Sequence, residues 1–323
     1  MEQLSDYIYK LPLSLNNNPL KEVYSYLIVD NGQALLIDTG FNDEITKNRI
    51  LNAIKSLNIQ LKNLKVFITH LHADHSGLAG YFYEEGCEVF ASIPDANIMQ
   101  KIANGDFYKN IENRIILLDL IRYQLTRDIL PASLFSFNSS IEFTLLKEHD
   151  IISVGNKKFK VIDIAGHTPG MIGLYDLQSQ NFFGADHILD QISPNITYWD
   201  QDFPALHVFL HNLKKISSIQ INTIYPSHRN LMTDHPRRAK ELIAHHYNRL
   251  KEVFDICSHY QKKLSPSEVA SLMEWNFRAP SWDDFPNPQK FFATNEAMAH
   301  LEYLHKEGWL YKVIDNDIAY YYI

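Results

Sequence analysis

Cysteine is nearly absent from this chain: there are two in 323 residues, Cys87 and Cys257, far apart and in no C-x-x-C pair. That scarcity excludes a disulfide scaffold and a thiolate zinc site, and it fits a cytoplasmic, reducing location. Long apolar runs are missing too. Nowhere do about eighteen apolar residues follow one another, and the opening Met1-Glu2-Gln3-Leu4-Ser5-Asp6 is acidic, so neither a membrane span nor an export signal is expected. Positive charge is not in excess. Lys plus Arg number 30 against 38 Asp plus Glu, a net charge of −8 with histidine neutral, which argues against a protein built to grip phosphate backbones. Nucleic acid is therefore an unexpected partner.

What the chain has instead is histidine, fifteen in all, unevenly placed. Thr69-His70-Leu71-His72-Ala73-Asp74-His75-Ser76-Gly77 follows Val66-Phe67-Ile68, an apolar β-branched run that reads as a buried strand. Alternation along an extended chain sets His70 and His72 to one side, and the following turn can aim Asp74 and His75 at the same point. Any one such histidine is more often an ordinary surface or core residue. Four metal-binding side chains packed this tightly at a strand end read as a metal site, with imidazole and carboxylate suiting zinc, then manganese, iron or cobalt.

The length exceeds the size at which single cores stop growing, so two domains, or one with a large insertion, are expected. Residues 7–13, 23–29 and 34–37 read as strands, with Asp30-Asn31-Gly32 as a hairpin turn, and 42–57 as a helix. After the metal strand come a short helix over 77–83 and a strand over 88–93, an alternation that describes an α/β layered domain. Residues 94–147 form a helical insertion: one helix opens at Pro94-Asp95 and closes at Gly105, and a second carries Ile111, Ile115, Leu118 and Leu125 along one face. That face, with the aromatics Phe107, Tyr108, Tyr123, Phe135 and Phe137, suits either a hairpin completing the core or a homodimer interface, or a lid over substrate.

Strands resume over 150–154 and 159–164, the latter running into Gly166-His167-Thr168-Pro169-Gly170. A hairpin over 171–183 ends at Gly184-Ala185-Asp186-His187, a helix follows over 204–216, and Thr223-Ile224-Tyr225 leads into Pro226-Ser227-His228-Arg229. The same device, a metal-binding side chain on a turn at a strand end, thus recurs. His187 is expected to face away from its neighbour Asp186, while His149, His207, His211, His245 and His246 read as surface residues.

His70-x-His72-x-Asp74-His75, followed by His167, Asp186 and His228 in these contexts, resembles the seven-ligand signature of the metallo-β-lactamase superfamily, over roughly residues 1–235. The resemblance implies an αβ/βα sandwich carrying two divalent metal ions at one edge. It places His70, His72 and His167 on the first metal and Asp74, His75 and His228 on the second, with Asp186 bridging and Asp38 orienting a ligand histidine. Two departures stand out: Pro-Ser-His-Arg where relatives often have Pro-Gly-His-Gly, and Ala185 before Asp186.

Residues 236–323 read as a second domain. Asp234 caps a helix that Pro236 begins, Ser265-Pro266-Ser267-Glu268 is a capping box, and a third helix follows Thr294 and stops at Gly308. Two strands around Asp315-Asn316-Asp317 complete an outline that resembles a winged helix. Glu296, Glu302 and Glu307 on the third helix argue against DNA reading and for packing on the catalytic unit or a partner subunit.

Two adjacent cations lower the pKa of a shared water and polarise the scissile group, so the expected activity is a hydrolase whose nucleophile is a bridging hydroxide oriented by Asp74. The aromatic insertion and acidic charge favour a small-molecule carbonyl substrate with an apolar part: a thioester, ester or lactone. Two alternatives stay open, a metal-dependent phosphodiesterase or endoribonuclease, and a non-catalytic metal or ligand sensor.

Overall fold

The computed structural model describes residues 1–15, 18–126, 136–137, 139–276 and 279–323, and of Tyr108 the backbone alone. Phe135 and the Tyr108 side chain, singled out above, lie outside the described residues. Strands β1 (Glu2–Gln3), β2 (Ile8–Ser14), β3 (Glu22–Asp30), β4 (Gln33–Ile37), β5 (Leu64–Phe67), β6 (Glu88–Ser92) and β7 (Thr144–Leu146) form one sheet in sequential order. The first four pair antiparallel and the last four parallel. Strand β7 falls inside the segment expected to be helical; it is short and exposed at two of its three residues, so it carries little apolar periodicity.

A second sheet runs β12-β11-β10-β9-β8, from β8 (Ile151–Val154), β9 (Lys157–Asp163), β10 (Ile172–Asp176), β11 (Phe182–Ala185) and β12 (Ile224–Pro226). Alternation explains how the sheets stack. Leu35 and Ile37 of β4, Phe67 of β5, Phe159 and Val161 of β9 and Phe183 of β11 share one buried cluster between the sheets. Their neighbours Ala34, Leu36, Val66, Ile162 and Phe182 belong to a second cluster under the helices. Strands apolar on both faces are those of a sandwich covered on both sides, the αβ/βα layering that the resemblance implies.

The outer layers hold α1 (Glu44–Ser56), capped by Asp43 on the Thr46 N–H at 2.7 Å, the one-turn α2 (Ala73–Ser76), α3 (Ala79–Glu84), α4 (Ile93–Ala103) and α5 (Asp106–Leu117). On the other side α6 (Ala205–Ser218) covers the second sheet, and α7 (His235–Tyr260) and α9 (Asn287–Lys306) pack against α6. Helix α8 (Pro266–Leu272) opens with the expected capping box. The hairpin of β13 (Tyr311–Asp315) and β14 (Ile318–Tyr322) ends the chain. The C-terminal helices thus dock on the strands' own helical layer, and their Leu242, Val253, Ala297 and Leu301 are continuous with its core. No helix among the described residues is long and apolar enough to cross a membrane.

The apolar face of α5 finds its cover within the same chain. Ile111, Ile115 and Leu118 are buried, the Ser267 N–H donates to Leu118 O at 3.2 Å, and the Ser265 hydroxyl donates to the buried Asp119 at 2.7 Å. Tyr123 meets Trp282 at 6.2 Å between ring centroids, and Phe137 is buried in the main core. These aromatics serve the protein's own packing.

Candidate metal centre

Strand direction assembles the site. β4 and β5 run parallel, and so do β11 and β12; β9 is antiparallel to β10, which is antiparallel to β11, so β9 shares their direction. The C-terminal ends of these strands therefore open at one edge of the sandwich, and there the chain places Asp38, His70 to His75, His167, Asp186 and His228. All seven residues expected from the sequence come together. They form three overlapping groups, His70/His72/His167, His70/His75/Asp186 and Asp74/His75/His228, each with its candidate ligand atoms within 4.8 Å of one another.

In the first group His70 Nε2 and His167 Nε2 lie 3.1 and 3.0 Å from His72 Nδ1. Three nitrogens each about 2.0–2.1 Å from one tetrahedral ion would be roughly 3.3 Å apart, so the donors are close to that spacing. In the third, His75 Nε2 and His228 Nε2 lie 3.7 and 3.5 Å from Asp74 Oδ2. Asp186 Oδ2 stands between the groups, 3.6 Å from His75 Nε2, 3.6 Å from His228 Nε2 and 3.8 Å from His167 Nε2. His75 Nε2, His228 Nε2 and Asp186 Oδ1 are buried without a hydrogen-bond partner. Buried polar atoms of a native fold are ordinarily satisfied; nitrogen and carboxylate donors left bare and convergent fit divalent cations.

Four of the five imidazoles are oriented from behind. His75 Nδ1 donates to Asp38 Oδ2 at 2.8 Å. The Thr69 hydroxyl donates to the same carboxylate at 2.8 Å, leaving its oxygen to accept from His70 Nδ1 at 3.0 Å. One buried acid thus orders two rings. His167 Nδ1 donates to Asn195 O at 2.7 Å and His228 Nδ1 to Glu22 O at 2.8 Å, which in the neutral rings makes Nε2 the inward-facing atom with a free lone pair.

Burial, and then the neighbouring imidazoles, hold His70 well below its ordinary value and bring His72 down to about 3. His75 and His228 go the other way. Burial opposes their charge, but the carboxylates of Asp74 and Asp186, joined for His75 by Asp38, raise both. Burial likewise works against ionised Asp74 and Asp186, yet His75 and His228 outweigh it, holding Asp74 at about 2 and Asp186 well below the carboxylate range.

Both departures from the usual wording take left-handed backbone, Ala185 at φ 46° and Arg229 at φ 70°, a conformation that glycine adopts without strain. The register of β11 on β12 also shifts between Phe183 and Ala185. His187 turns away as expected, its ring 5.2 Å from that of Phe209 on α6. The surface reading of His246 is corrected: it is fully buried, and its Nδ1 lies 3.2 Å from His300 Nε2 because α9 covers α7 there.

Sequence reading missed Asp95. Its carboxylate accepts the Leu71 N–H at 3.0 Å, the Gly170 N–H at 2.7 Å and the Thr168 hydroxyl at 2.7 Å, clamping the two histidine loops together. Gly170 must be glycine for this approach, since a Cβ would fall on Ser92 Oγ and 2.7 Å from Asp95 N. The available signal was Ser92-x-x-Asp95 at a helix start, a capping box whose acid serves the loops instead. Trp199 was missed as well: its Nε1–H donates to His167 O at 3.1 Å, and its ring stacks on His72 with centroids 6.2 Å apart.

The "Probable metallo-hydrolase YqjP" of Bacillus subtilis is 21% identical over 93% of this chain and 93% of its own length. The "Beta-lactamase-like protein 2 homolog" of Caenorhabditis elegans is 23% identical over 98% of this chain and 88% of its own. Among solved structures, the metallo-beta-lactamase family protein TTHA1429 from Thermus thermophilus superposes with a TM-score of 0.83 at 23% identity, over 99% of both chains, which shows a shared fold. A family model matches residues 19–228, a span that holds all seven converging side chains, and by that match the chain belongs to the metallo-beta-lactamase superfamily.

Proposed function

We propose that this chain is a hydrolase holding two divalent cations, one on His70, His72 and His167 and the other on Asp74, His75 and His228, with Asp186 shared. The observation that carries the reading is the position of Asp186 Oδ2, 3.6 to 3.8 Å from nitrogens of both groups. Bound there, such a pair supplies Lewis acidity toward a polarised carbonyl and makes water a competent nucleophile near neutral pH. Zinc suits the donor set, with manganese or iron as alternatives.

The chain's own residues do the positioning. Asp74, partly open to solvent, accepts a hydrogen bond from the attacking water and takes its proton during attack. Asp38 and Asp95 keep the histidine loops in register, so the site reorganises little during reaction. The substrate is a carbonyl compound with an apolar part, a thioester, ester or lactone, supported by the net charge of −8 and by the indole of Trp199 beside His72.

Elemental analysis should find close to two transition-metal ions per chain, and chelation should abolish hydrolysis. Asp74→Asn should lose about a hundredfold or more in kcat while keeping its melting temperature. Across a thioester and lactone series kcat/KM should rise about fourfold per added methylene until the site is filled. One ion or none in zinc-supplemented protein would reject the paired centre. A flat acyl series beside salt-sensitive cleavage of single-stranded RNA would replace the carbonyl substrate with a phosphodiester.

A further inference from the structure

The segment between β11 and α6 touches the centre on one side and the C-terminal helix α9 on the other. On the near side Asn195 O accepts from His167 Nδ1 at 2.7 Å, and the Trp199 indole donates to His167 O. On the far side the Asn195 amide donates to Glu296 Oε2 at 2.7 Å and to Phe292 O at 3.4 Å, while Tyr198 N donates to Asn295 O at 3.3 Å. The Thr197 hydroxyl donates to Asn195 Oδ1 at 2.8 Å, so both ends of that amide are held.

Glu296 is 9% exposed and makes no ion pair among the described residues. Burial pushes its carboxyl up to about 7, which the distant Arg249 and the Asn195 amide offset only in part. A buried carboxyl facing a single amide is a poor way to stabilise a fold, since an apolar side chain of similar size would pack there without desolvation. Its bond to Asn195 instead fixes the residue whose carbonyl selects the His167 tautomer and sets the ring's tilt.

We propose that Glu296 is a positioning residue of the metal centre: through the Asn195 side chain it sets the carbonyl that orients His167, which makes helix α9 part of the site. This rests on the reading of His167 as a metal ligand. The test compares full-length wild type, Glu296→Ala, Glu296→Gln and Asn195→Ala by zinc competition against a chromophoric chelator, by cobalt absorption spectra and by thermal unfolding. Glu296→Ala and Asn195→Ala should weaken one zinc ion by roughly tenfold to a hundredfold, alter the cobalt bands and leave the other ion at wild-type affinity. Glu296→Gln, which still offers an oxygen to the Asn195 amide, should behave as wild type. Should Glu296→Ala fail to fold, Asn195→Ala carries the test, because it removes the amide and keeps the carbonyl. Unchanged affinity in the alanine variants overturns the inference while leaving the metal centre standing. Equal weakening of both ions in step with a lower melting temperature also overturns it, as a purely structural role. A wild type that holds no zinc overturns both readings.

Discussion

Asp186 Oδ2 and the Nε2 atoms of His75 and His228 form a tight, largely buried cluster whose charge state is set by its members. With both imidazoles raised by the surrounding carboxylates, the metal-free rings hold protons that a cation must displace. The sign follows: affinity falls as pH falls, because each raised histidine favours its protonated form further. The second ion should weaken by up to about a hundredfold per pH unit below those raised values, with proton release on loading. Calorimetry in two buffers of different ionisation heat checks this; a pH-independent affinity between pH 8 and 6 would contradict it. Asp95 acts at the same scale with a different currency. Asp95→Ala leaves the buried Leu71 and Gly170 N–H groups without an acceptor, and the expected loss is about 2–5 kcal/mol in urea unfolding at saturating zinc.

Among the elements, the insertion and the tail hold each other. Asp119 accepts from Ser265, at 2.7 Å, and pairs with Arg122 at 2.7 Å, which also reaches Glu268 at 3.5 Å. Asp119→Ala should cost about 1–3 kcal/mol and speed amide exchange over α5 and α8, with α1 unaffected. Elements were legible where their pattern is local: β4 and β9 are short β-rich runs, α1 and α7 carry caps, and the cluster from His70 to His75 announces itself within six residues. Where burial comes from all sides the pattern vanishes. Helix α9 is buried continuously from Ala293 to Glu302, so it shows no apolar stripe, and its start at Asn287 precedes the expected one. Asn195 and Trp199 carry no motif at all. Their place is created by folding, when the loop after β11 is laid between His167 and α9.

For the whole molecule, the C-terminal helices are a wall of the core. Phe209 on α6 meets His246 of α7 at 5.4 Å, and His207 stacks on Tyr303 of α9 at 3.9 Å. A chain ended at residue 234 should expose that layer and aggregate, whereas the full chain stays monodisperse; size-exclusion chromatography of the two distinguishes the outcomes. The siting of the centre across two sheets also shapes how the protein folds. Candidate ligands from β5 on one sheet and from β9, β11 and β12 on the other meet only once the sandwich has closed. In an open intermediate a cation therefore meets only the local cluster from His70 to His75, without His167, Asp186 or His228. A cation held by the full set would latch the finished fold, slowing unfolding by favouring the closed state while leaving the refolding rate, governed by long-range strand pairing, almost untouched.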